Sequence, residues 1–368
     1  MPIINETLYA PIRLLIYFVY AIYVFFVVIK QKLIIRNKFY FIFLLTVIYS
    51  VLVSIINLDT NFLQLLIPFM ILIASYEAIL DWDLIKKITS IFIGLTTLLS
   101  ISSVFYYVGG FVITQTYSIP AKNQIGPMIA LAIVISYFLF NNSKYLGIGL
   151  FTKWLCIISF FFNILAILVI RNRAGLLALG IVFFLDFFRN KLFVKYFSYK
   201  QIILVILIFM LIIYLLLSGK LDSIYEFIWN SITLNYDTTN LQSLSAGRTE
   251  TYIEGLLFAL NNPVLGAMDM ESLPFGTPHN YIINNIVNYG LILPIPLIAF
   301  YLYLWFFSIK NLFIKKENYD QLFFVPWMLL LTLIISLFEY TYPYGPASSQ
   351  FMLWFLIGQF LRKKDFGI

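Results

Sequence analysis

Apolar residues run almost without interruption through this chain, in stretches long enough to cross a lipid bilayer. A helical crossing takes about 20 apolar residues. Such runs lie near residues 8–29, 39–57, 62–80, 88–108, 123–140, 154–170, 174–188, 201–217, 281–308, 321–340 and 347–361. Backbone polar groups find no water inside a bilayer, so each run is predicted to be an α-helix. The sequence therefore predicts an all-α, polytopic membrane protein with about 11 transmembrane helices, within a range of roughly 10 to 12.

Composition and charge placement support this class and predict an orientation. Of the 368 residues, 62% are hydrophobic and 11% charged, which excludes a soluble domain. Of the 24 Lys and Arg residues, 18 fall on one predicted side and 6 on the other. The six are Arg13, Lys122, Arg171, Arg173, Lys220 and Arg248. Because basic residues are retained in the cytoplasm, these six are predicted to face outward, and the net charge of +7 indicates topology rather than nucleic-acid binding.

One long interruption, at about residues 218–280, is predicted to be an external loop embedded in a single membrane domain of residues 1–368. Within it, residues Thr249 to Leu260 carry apolar side chains at three- and four-residue spacing, which predicts an amphipathic helix. We expect this helix to lie along the bilayer surface with Ile253 and Leu257 toward lipid or protein.

The single histidine, His279, follows Thr277 and Pro278. This pattern predicts a helix that begins with Thr277 as its N-cap and Pro278 in its first turn. The positive end of the helix dipole would then favour the neutral imidazole, which can accept a proton. His279 is therefore the candidate general base.

Three outward arginines are candidates for binding a phosphate group. Arg171 and Arg173 lie in a short turn between two apolar runs, where each could instead reach toward lipid headgroups. A guanidinium group binds phosphate bidentately, so two arginines at one surface favour a pyrophosphate ligand. Arg248, at the start of the amphipathic helix, could bind the same group or form surface ion pairs with Glu250 and Glu254.

The acidic residues do not predict a metal site. Asp269 and Glu271 are separated by one residue, a spacing more typical of a solvated loop than of metal ligands. Glu77 and Asp186 lie near predicted cytoplasmic helix ends and are expected to reach water, whereas Glu339 lies toward an outer end, where it could join a cavity wall.

Five short motifs follow one another in the second half of the chain. They are Arg173-Ala174-Gly175, Gly247-Arg248, Asn262-Pro263-Val264-Leu265-Gly266, His279-Asn280-Tyr281 and Tyr289-Gly290-Leu291. This set, between Arg171 and Phe307, resembles the O-antigen polymerase and O-antigen ligase superfamily of bacterial membrane glycan transferases.

The resemblance implies a GT-C-like helical membrane enzyme of the bacterial inner membrane, with its active site on the periplasmic side. Such enzymes transfer a glycan from undecaprenyl pyrophosphate to a sugar acceptor without a metal or other cofactor. The resemblance assigns Arg173 and Arg248 to the pyrophosphate, with Arg171 as a further candidate, and His279 to activation of the acceptor. The implied partners are undecaprenyl-pyrophosphate-linked glycans as donor and acceptor, membrane lipids and a chain-length regulator protein, and no nucleic acid.

Three functions are compatible with these features. The leading hypothesis is an O-antigen polymerase that joins lipid-linked repeat units by inverting transfer. An O-antigen ligase, which transfers the glycan to lipid A core, would use the same chemistry. A lipid-linked oligosaccharide flippase is the alternative from another class, but transporters typically show internal repeats and charged sites at mid-membrane, which this chain lacks.

Overall fold

The computed structural model describes residues 19, 22, 38–57, 62–108, 119–170, 172–193, 248–267, 273–274, 276–313, 321–345 and 347–366. Most of these residues lie in α-helices, and the described ranges contain no β-strand. The helices are α1 (Lys38–Asn57), α2 (Leu63–Glu77), α3 (Trp82–Val108), α4 (Ile119–Asn141), α5 (Leu150–Val169), α6 (Arg173–Phe193), α7 (Arg248–Asn261), α8 (Tyr281–Tyr289), α9 (Ile295–Leu312), α10 (Val325–Ile335) and α11 (Ala347–Phe366).

Four of these helices are long and apolar enough to cross a bilayer. The candidate spans are Lys38–Ile56, Trp82–Phe105, Leu150–Val169 and Ile295–Leu312. The protein is therefore an all-helical membrane protein, as its apolar runs predict. Apart from residues 19 and 22, the predicted helices near 8–29 and 201–217 and the loop before Arg248 lie outside the described residues. The number of eleven spans therefore remains a prediction.

Two pairs of contacting helices show that the bundle has two distinct ends. Phe39 at the start of α1 packs against Phe307 near the end of α9, with ring centroids 5.0 Å apart. Arg189 near the end of α6 lies 5.4 Å from the ring centroid of Trp327, at the start of α10. Both pairs of helices are therefore antiparallel, and the start of α6 lies at the same end as the end of α10.

Most of the described basic side chains lie at one of these ends, which we call the basic end. They are Lys38, Lys86, Lys87, Lys144, Lys153, Arg189, Lys310, Arg362, Lys363 and Lys364. Arg173 and Arg248 lie at the other end, which we call the loop end because it carries α7. This separation matches the charge asymmetry of the sequence.

Buried polar side chains join the helices in the interior. Asn163 of α5 accepts a hydrogen bond from Ser100 of α3 at 2.5 Å and donates one to Ser159 at 2.8 Å. Ser159 also contacts Ser136 of α4 at 3.2 Å. Small polar residues at helix contacts allow the helices to pack closely. They also form hydrogen bonds between helices, which lipid acyl chains cannot provide.

Asp186 differs from its prediction. It was expected to reach water, but it is 97% buried, since only 3% of its surface is exposed. Its carboxylate accepts a hydrogen bond from the Tyr137 hydroxyl of α4 at 2.9 Å. Packing of α4 against α6, which the sequence pattern of either helix alone does not reveal, encloses this group.

Two apolar runs are shorter or less continuous as helices than predicted. The run at 281–308 forms two helices, because Gly290 has a left-handed backbone (φ 77°) and prolines follow at the start of α9. The run at 321–340 is α-helical only over Val325–Ile335, and turns occupy most of 336–344. The chain at the loop end therefore contains irregular backbone within a largely apolar stretch.

An aromatic cluster fixes this irregular segment. Tyr344 stacks on Trp354 of α11 with ring centroids 5.8 Å apart, and the Trp354 indole donates to the Pro343 carbonyl at 3.0 Å. Phe43 of α1 packs against the same indole at 5.2 Å. The turns between α10 and α11 are thus held by helices from both halves of the described chain.

Candidate functional site

Helix α7 presents its polar start to the segment that follows α10. The amphipathic helix predicted over Thr249 to Leu260 is present as Arg248–Asn261, and it packs against α8. Arg248 and Tyr252 are four residues apart, so they share one face of the helix. Arg248 donates a hydrogen bond to the Phe338 carbonyl at 2.9 Å, and the Tyr252 hydroxyl donates to the His279 carbonyl at 2.9 Å.

The start of α8 differs from its prediction. Thr277 is not the N-cap, because the cap is Asn280, whose side-chain oxygen accepts from the backbone of Ile282 at 2.9 Å and Ile283 at 3.1 Å. Helix α8 begins at Tyr281, so His279 precedes the cap instead of lying in the first turn. Asparagine is as good a cap as serine or aspartate, and it displaces the Thr-Pro start that the sequence favours.

Asn280 also ties α8 to the turns after α10. Its side-chain nitrogen donates to the Leu337 carbonyl at 3.1 Å, and the Tyr281 backbone nitrogen donates to the Ser336 carbonyl at 3.0 Å. These bonds satisfy carbonyls left free where α10 ends. They place His279 beside the residues that follow Phe338.

Glu339 is the residue on which Arg248 and His279 converge. Its carboxylate lies 3.5 Å from the Arg248 guanidinium (Nη2 to Oε1) and 3.6 Å from the His279 ring (Nδ1 to Oε2). The Glu339 side chain is 7% exposed, compared with 27% for Arg248 and 36% for His279. Arg248, for which the sequence suggested surface ion pairs with Glu250 or Glu254, thus forms an ion pair with a buried carboxylate.

This arrangement determines which histidine nitrogen can act on a ligand. Nδ1 is buried, lacks a hydrogen-bond partner among the protein atoms and faces the carboxylate at a distance slightly too long for a hydrogen bond. Nε2 is therefore the nitrogen left for a substrate. A carboxylate beside Nδ1 would also stabilise the imidazolium that forms when Nε2 takes a proton.

Two aromatic side chains complete the surroundings of His279. The Tyr340 ring lies 6.1 Å from the imidazole, centroid to centroid. Burial raises the pKa of the Tyr252 hydroxyl above its ordinary value, so this group remains a hydrogen-bond donor at neutral pH. Tyr252 thereby holds the backbone of His279 from the side of α7.

The Asn262–Gly266 turn after α7 and the break after α8 interlock through their backbones. The Pro263 carbonyl accepts from Leu291 at 2.7 Å, and Ala267 donates to the Val287 carbonyl at 2.8 Å. A Cβ atom on Gly266 would lie 2.5 Å from the Gly290 nitrogen, and one on Gly290 would lie 2.5 Å from the Pro263 oxygen. The Asn-Pro-x-x-Gly and Tyr-Gly motifs are therefore two halves of one contact that fixes α7 on α8.

Arg173 begins α6 at the loop end, half-buried. The preceding Asn172 is 3% exposed, and its side-chain oxygen accepts from the Gly175 backbone nitrogen at 2.7 Å, as an N-cap does. Its side chain also lies directly against Gly126 of α4, where a Cβ atom would overlap it. The Asn172 cap also approaches Gly175 closely, because a Cβ atom there would lie 2.6 Å from its side-chain oxygen.

The structure therefore brings together Arg248 and His279, and it adds Glu339 and Tyr252. Arg173 lies at the same end of the bundle, and its convergence with Arg248 on one cavity remains a prediction. Arg171, Asp269 and Glu271 lie outside the described residues. In the described part of the chain, no group of three or more His, Cys, Asp or Glu side chains could hold a metal ion.

Sequence signals existed for both added residues. Tyr252 follows Arg248 by one helical turn, and Glu339 is a carboxylate in an otherwise apolar and aromatic stretch near an outer helix end. Neither signal identifies a partner, because pairing depends on how α7, α8 and the turns after α10 come together.

Fold and site define a helical membrane protein with a cluster of one carboxylate, one histidine and one arginine at the loop end. The chain matches no protein-family model and no curated protein sequence.

Proposed function

We propose that the protein is an O-antigen polymerase, or a polymerase of a similar surface polysaccharide. It would join undecaprenyl-pyrophosphate-linked oligosaccharide repeat units by inverting glycosyl transfer without a metal. The observation that carries this proposal is the contact of Glu339 with both Arg248 and His279. A base and a cation at one site are what transfer from a pyrophosphate donor to a sugar hydroxyl requires.

In the proposed reaction, Nε2 of His279 removes the proton from an acceptor hydroxyl as its oxygen bonds to the anomeric carbon of the donor. The bond from that carbon to the pyrophosphate oxygen breaks, and undecaprenyl pyrophosphate leaves with the electron pair. Attack from the opposite face inverts the anomeric centre. A general base of this kind typically contributes about 10²–10⁴-fold in rate.

Glu339 and Arg248 have separate roles in this proposal. Glu339 orients the imidazole and stabilises its protonated form, so it is a positioning residue. Arg248, together with Arg173 and with Arg171 as a further candidate, neutralises the charge that develops on the leaving pyrophosphate. Because Glu339 also pairs with Arg248, it fixes the guanidinium at a set distance from the base.

The distribution of basic residues supports a periplasmic location for the proposed site. The basic end is retained in the cytoplasm, so the loop end faces the opposite side of the inner membrane, the periplasm. Lipid-linked glycans destined for the cell surface are polymerised on that side. The site also lies at one end of the bundle instead of at mid-membrane, which favours a transferase over a transporter.

Deletion of the gene, followed by electrophoresis of the surface polysaccharide, tests the proposal. A single repeat unit on lipid A core is the expected result for a lost polymerase. Uncapped core would instead indicate a ligase, and loss of all surface glycan would indicate a flippase. A normal ladder of chain lengths would contradict all three functions.

A further inference from the structure

Helix α7 has three distinct faces around its axis. Counting about 100° per residue, Arg248, Tyr252 and Ala259 lie on the face that packs against α8 and the site. An exposed apolar stripe lies next to this face and consists of Ile253, Leu256, Leu257 and Leu260. The third face is exposed and polar, with Glu250, Glu254 and Asn261.

The stripe is unusually apolar for a surface in contact with water. Ile253, Leu257 and Leu260 are 56%, 55% and 61% exposed. Four large aliphatic side chains aligned on one short helix form an apolar patch, and such patches mark contacts with protein or membrane.

The surface next to the stripe identifies the partner as lipid. Val264 and Leu265, in the turn after α7, are also exposed. The Pro263 carbonyl in the same turn accepts from Ile292, which places exposed Ile292 and Ile295 directly beside it.

From there the apolar surface continues down a candidate membrane span. Ile295, Leu302, Phe306 and Ile309 follow one face of α9 at helical spacing and are all exposed. In a membrane protein such a face contacts acyl chains. The stripe of α7 therefore continues the exposed apolar face of a candidate membrane span.

We infer that α7 is an interfacial helix whose stripe of Ile253, Leu256, Leu257 and Leu260 is inserted into the bilayer surface at the loop end. The face bearing Glu250 and Glu254 then points to water, and the face bearing Arg248 points to the site. Lipid contact on one side of α7 thus holds Arg248 and Tyr252 against Glu339 and His279 on the other. Because Arg248 is the one basic residue of α7 and faces the site, insertion depends on apolar contact rather than on anionic lipid.

Site-directed fluorescence with the full-length protein tests this inference without reference to catalysis. In a Cys156→Ala background, a small environment-sensitive dye is attached to Leu257→Cys or Leu260→Cys on the stripe. Glu254→Cys and Asn261→Cys are the matched controls on the polar face, and Leu302→Cys on α9 is the control within the bilayer. The proteins are placed in phosphatidylcholine nanodiscs, with a nitroxide on the lipid near the headgroup or near the end of the acyl chain.

Interfacial helices reach about 5–10 Å into the headgroup and acyl boundary. Probes at Leu257 and Leu260 should therefore be quenched several-fold more by the shallow nitroxide than probes at Glu254 and Asn261. The probe at Leu302 should respond most to the deep nitroxide. Aqueous iodide should quench the probes at Glu254 and Asn261 more than those at Leu257 and Leu260. Adding phosphatidylglycerol to the nanodiscs should not change the quenching at any position.

Two outcomes would overturn the inference. Equal iodide quenching at Leu257 and Glu254 would place the stripe in water. Shielding of Leu257 and Leu260 from both iodide and lipid nitroxides would show that protein covers the stripe, either a second copy or another part of this chain. Each labelled protein should elute as a single peak in gel filtration. The same quenching at Leu257 and Leu260 would show that neither substitution by itself causes the result.

Discussion

Replacing Glu339 with glutamine removes one charge from the centre of the site and leaves its volume almost unchanged. In the proposed reaction, the imidazolium of His279 forms as the acceptor loses its proton, and the Glu339 carboxylate faces that ring. Glutamine retains a hydrogen-bond acceptor but cannot stabilise the new positive charge. We therefore expect Glu339→Gln to slow the chemical step and to leave donor binding less affected.

The magnitude follows from the two separations, 3.6 Å to His279 and 3.5 Å to Arg248. Opposite unit charges at such distances attract by roughly 4–5 kcal/mol at an effective dielectric constant of about 20. The His279 side chain is 36% exposed, so water screens part of this attraction. After this screening, a loss of about 1.5–3 kcal/mol remains, which corresponds to roughly 10- to 150-fold in kcat.

The assay is extension of lipid-linked repeat units by purified protein, with kcat and KM measured separately. Glu254→Gln is the matched control, because Glu254 is exposed on the polar face of α7, and its rate should stay close to that of the wild type. A double-mutant cycle with His279→Gln distinguishes a role of Glu339 in positioning the imidazole from a general destabilisation of the protein. If Glu339 acts through the imidazole, Glu339→Gln should have little further effect once His279 is glutamine.

Two results would contradict this role of Glu339. A Glu339→Gln protein with the wild-type kcat would show that the carboxylate does not assist the base. Independent, multiplicative losses from Glu339→Gln and His279→Gln would show that the two side chains do not act as a unit.

Three further predictions concern the base, the arginines and the backbone contact. His279→Gln should retain substrate binding and reduce kcat by about 10²–10⁴-fold, and a wild-type rate would exclude it as the base. Alanine at Arg173 or Arg248 should severely reduce polymer in cells at equal protein level, with poor rescue by lysine, whereas near-normal polymer would contradict the pyrophosphate role. Gly290→Ala should destabilise the detergent-solubilised protein by about 2–5 kcal/mol, from its left-handed backbone and its overlap with the Pro263 carbonyl. Gly276→Ala, where φ is also positive (72°) but the space around the glycine is open, should lose only about 1–2 kcal/mol, so equal thermal stability of the two variants would argue against the interlock.

Local sequence patterns were sufficient for the helices whose apolar character is continuous. The helices at Lys38–Asn57 and Leu150–Val169 match their predicted runs within a few residues. The amphipathic helix at Arg248–Asn261 also follows its periodic pattern. In each case the information is contained in the segment itself, because apolar side chains and internally bonded backbone satisfy a lipid environment one helix at a time.

Sequence patterns gave the wrong helix boundaries where two local structures have similar free energies. Both Thr277 and Asn280 are good N-caps, and the choice of Asn280 is favoured by its bond to the Leu337 carbonyl. The apolar run at 281–308 contains Gly290 and prolines, which permit a break. Whether the helix continues or breaks there is decided by the turn after α7, which packs against Gly290.

Sequence patterns were enough to predict a helical membrane protein with its basic residues concentrated at one end, and to select Arg248 and His279 as candidate site residues. The contact of Glu339 with both residues is seen only in the folded protein. Hydropathy and helical period act over one or a few turns, so they can be read along the chain. The contacts of Glu339 join three segments far apart in sequence, and they exist because α7, α8 and the turns after α10 pack at one end of the bundle.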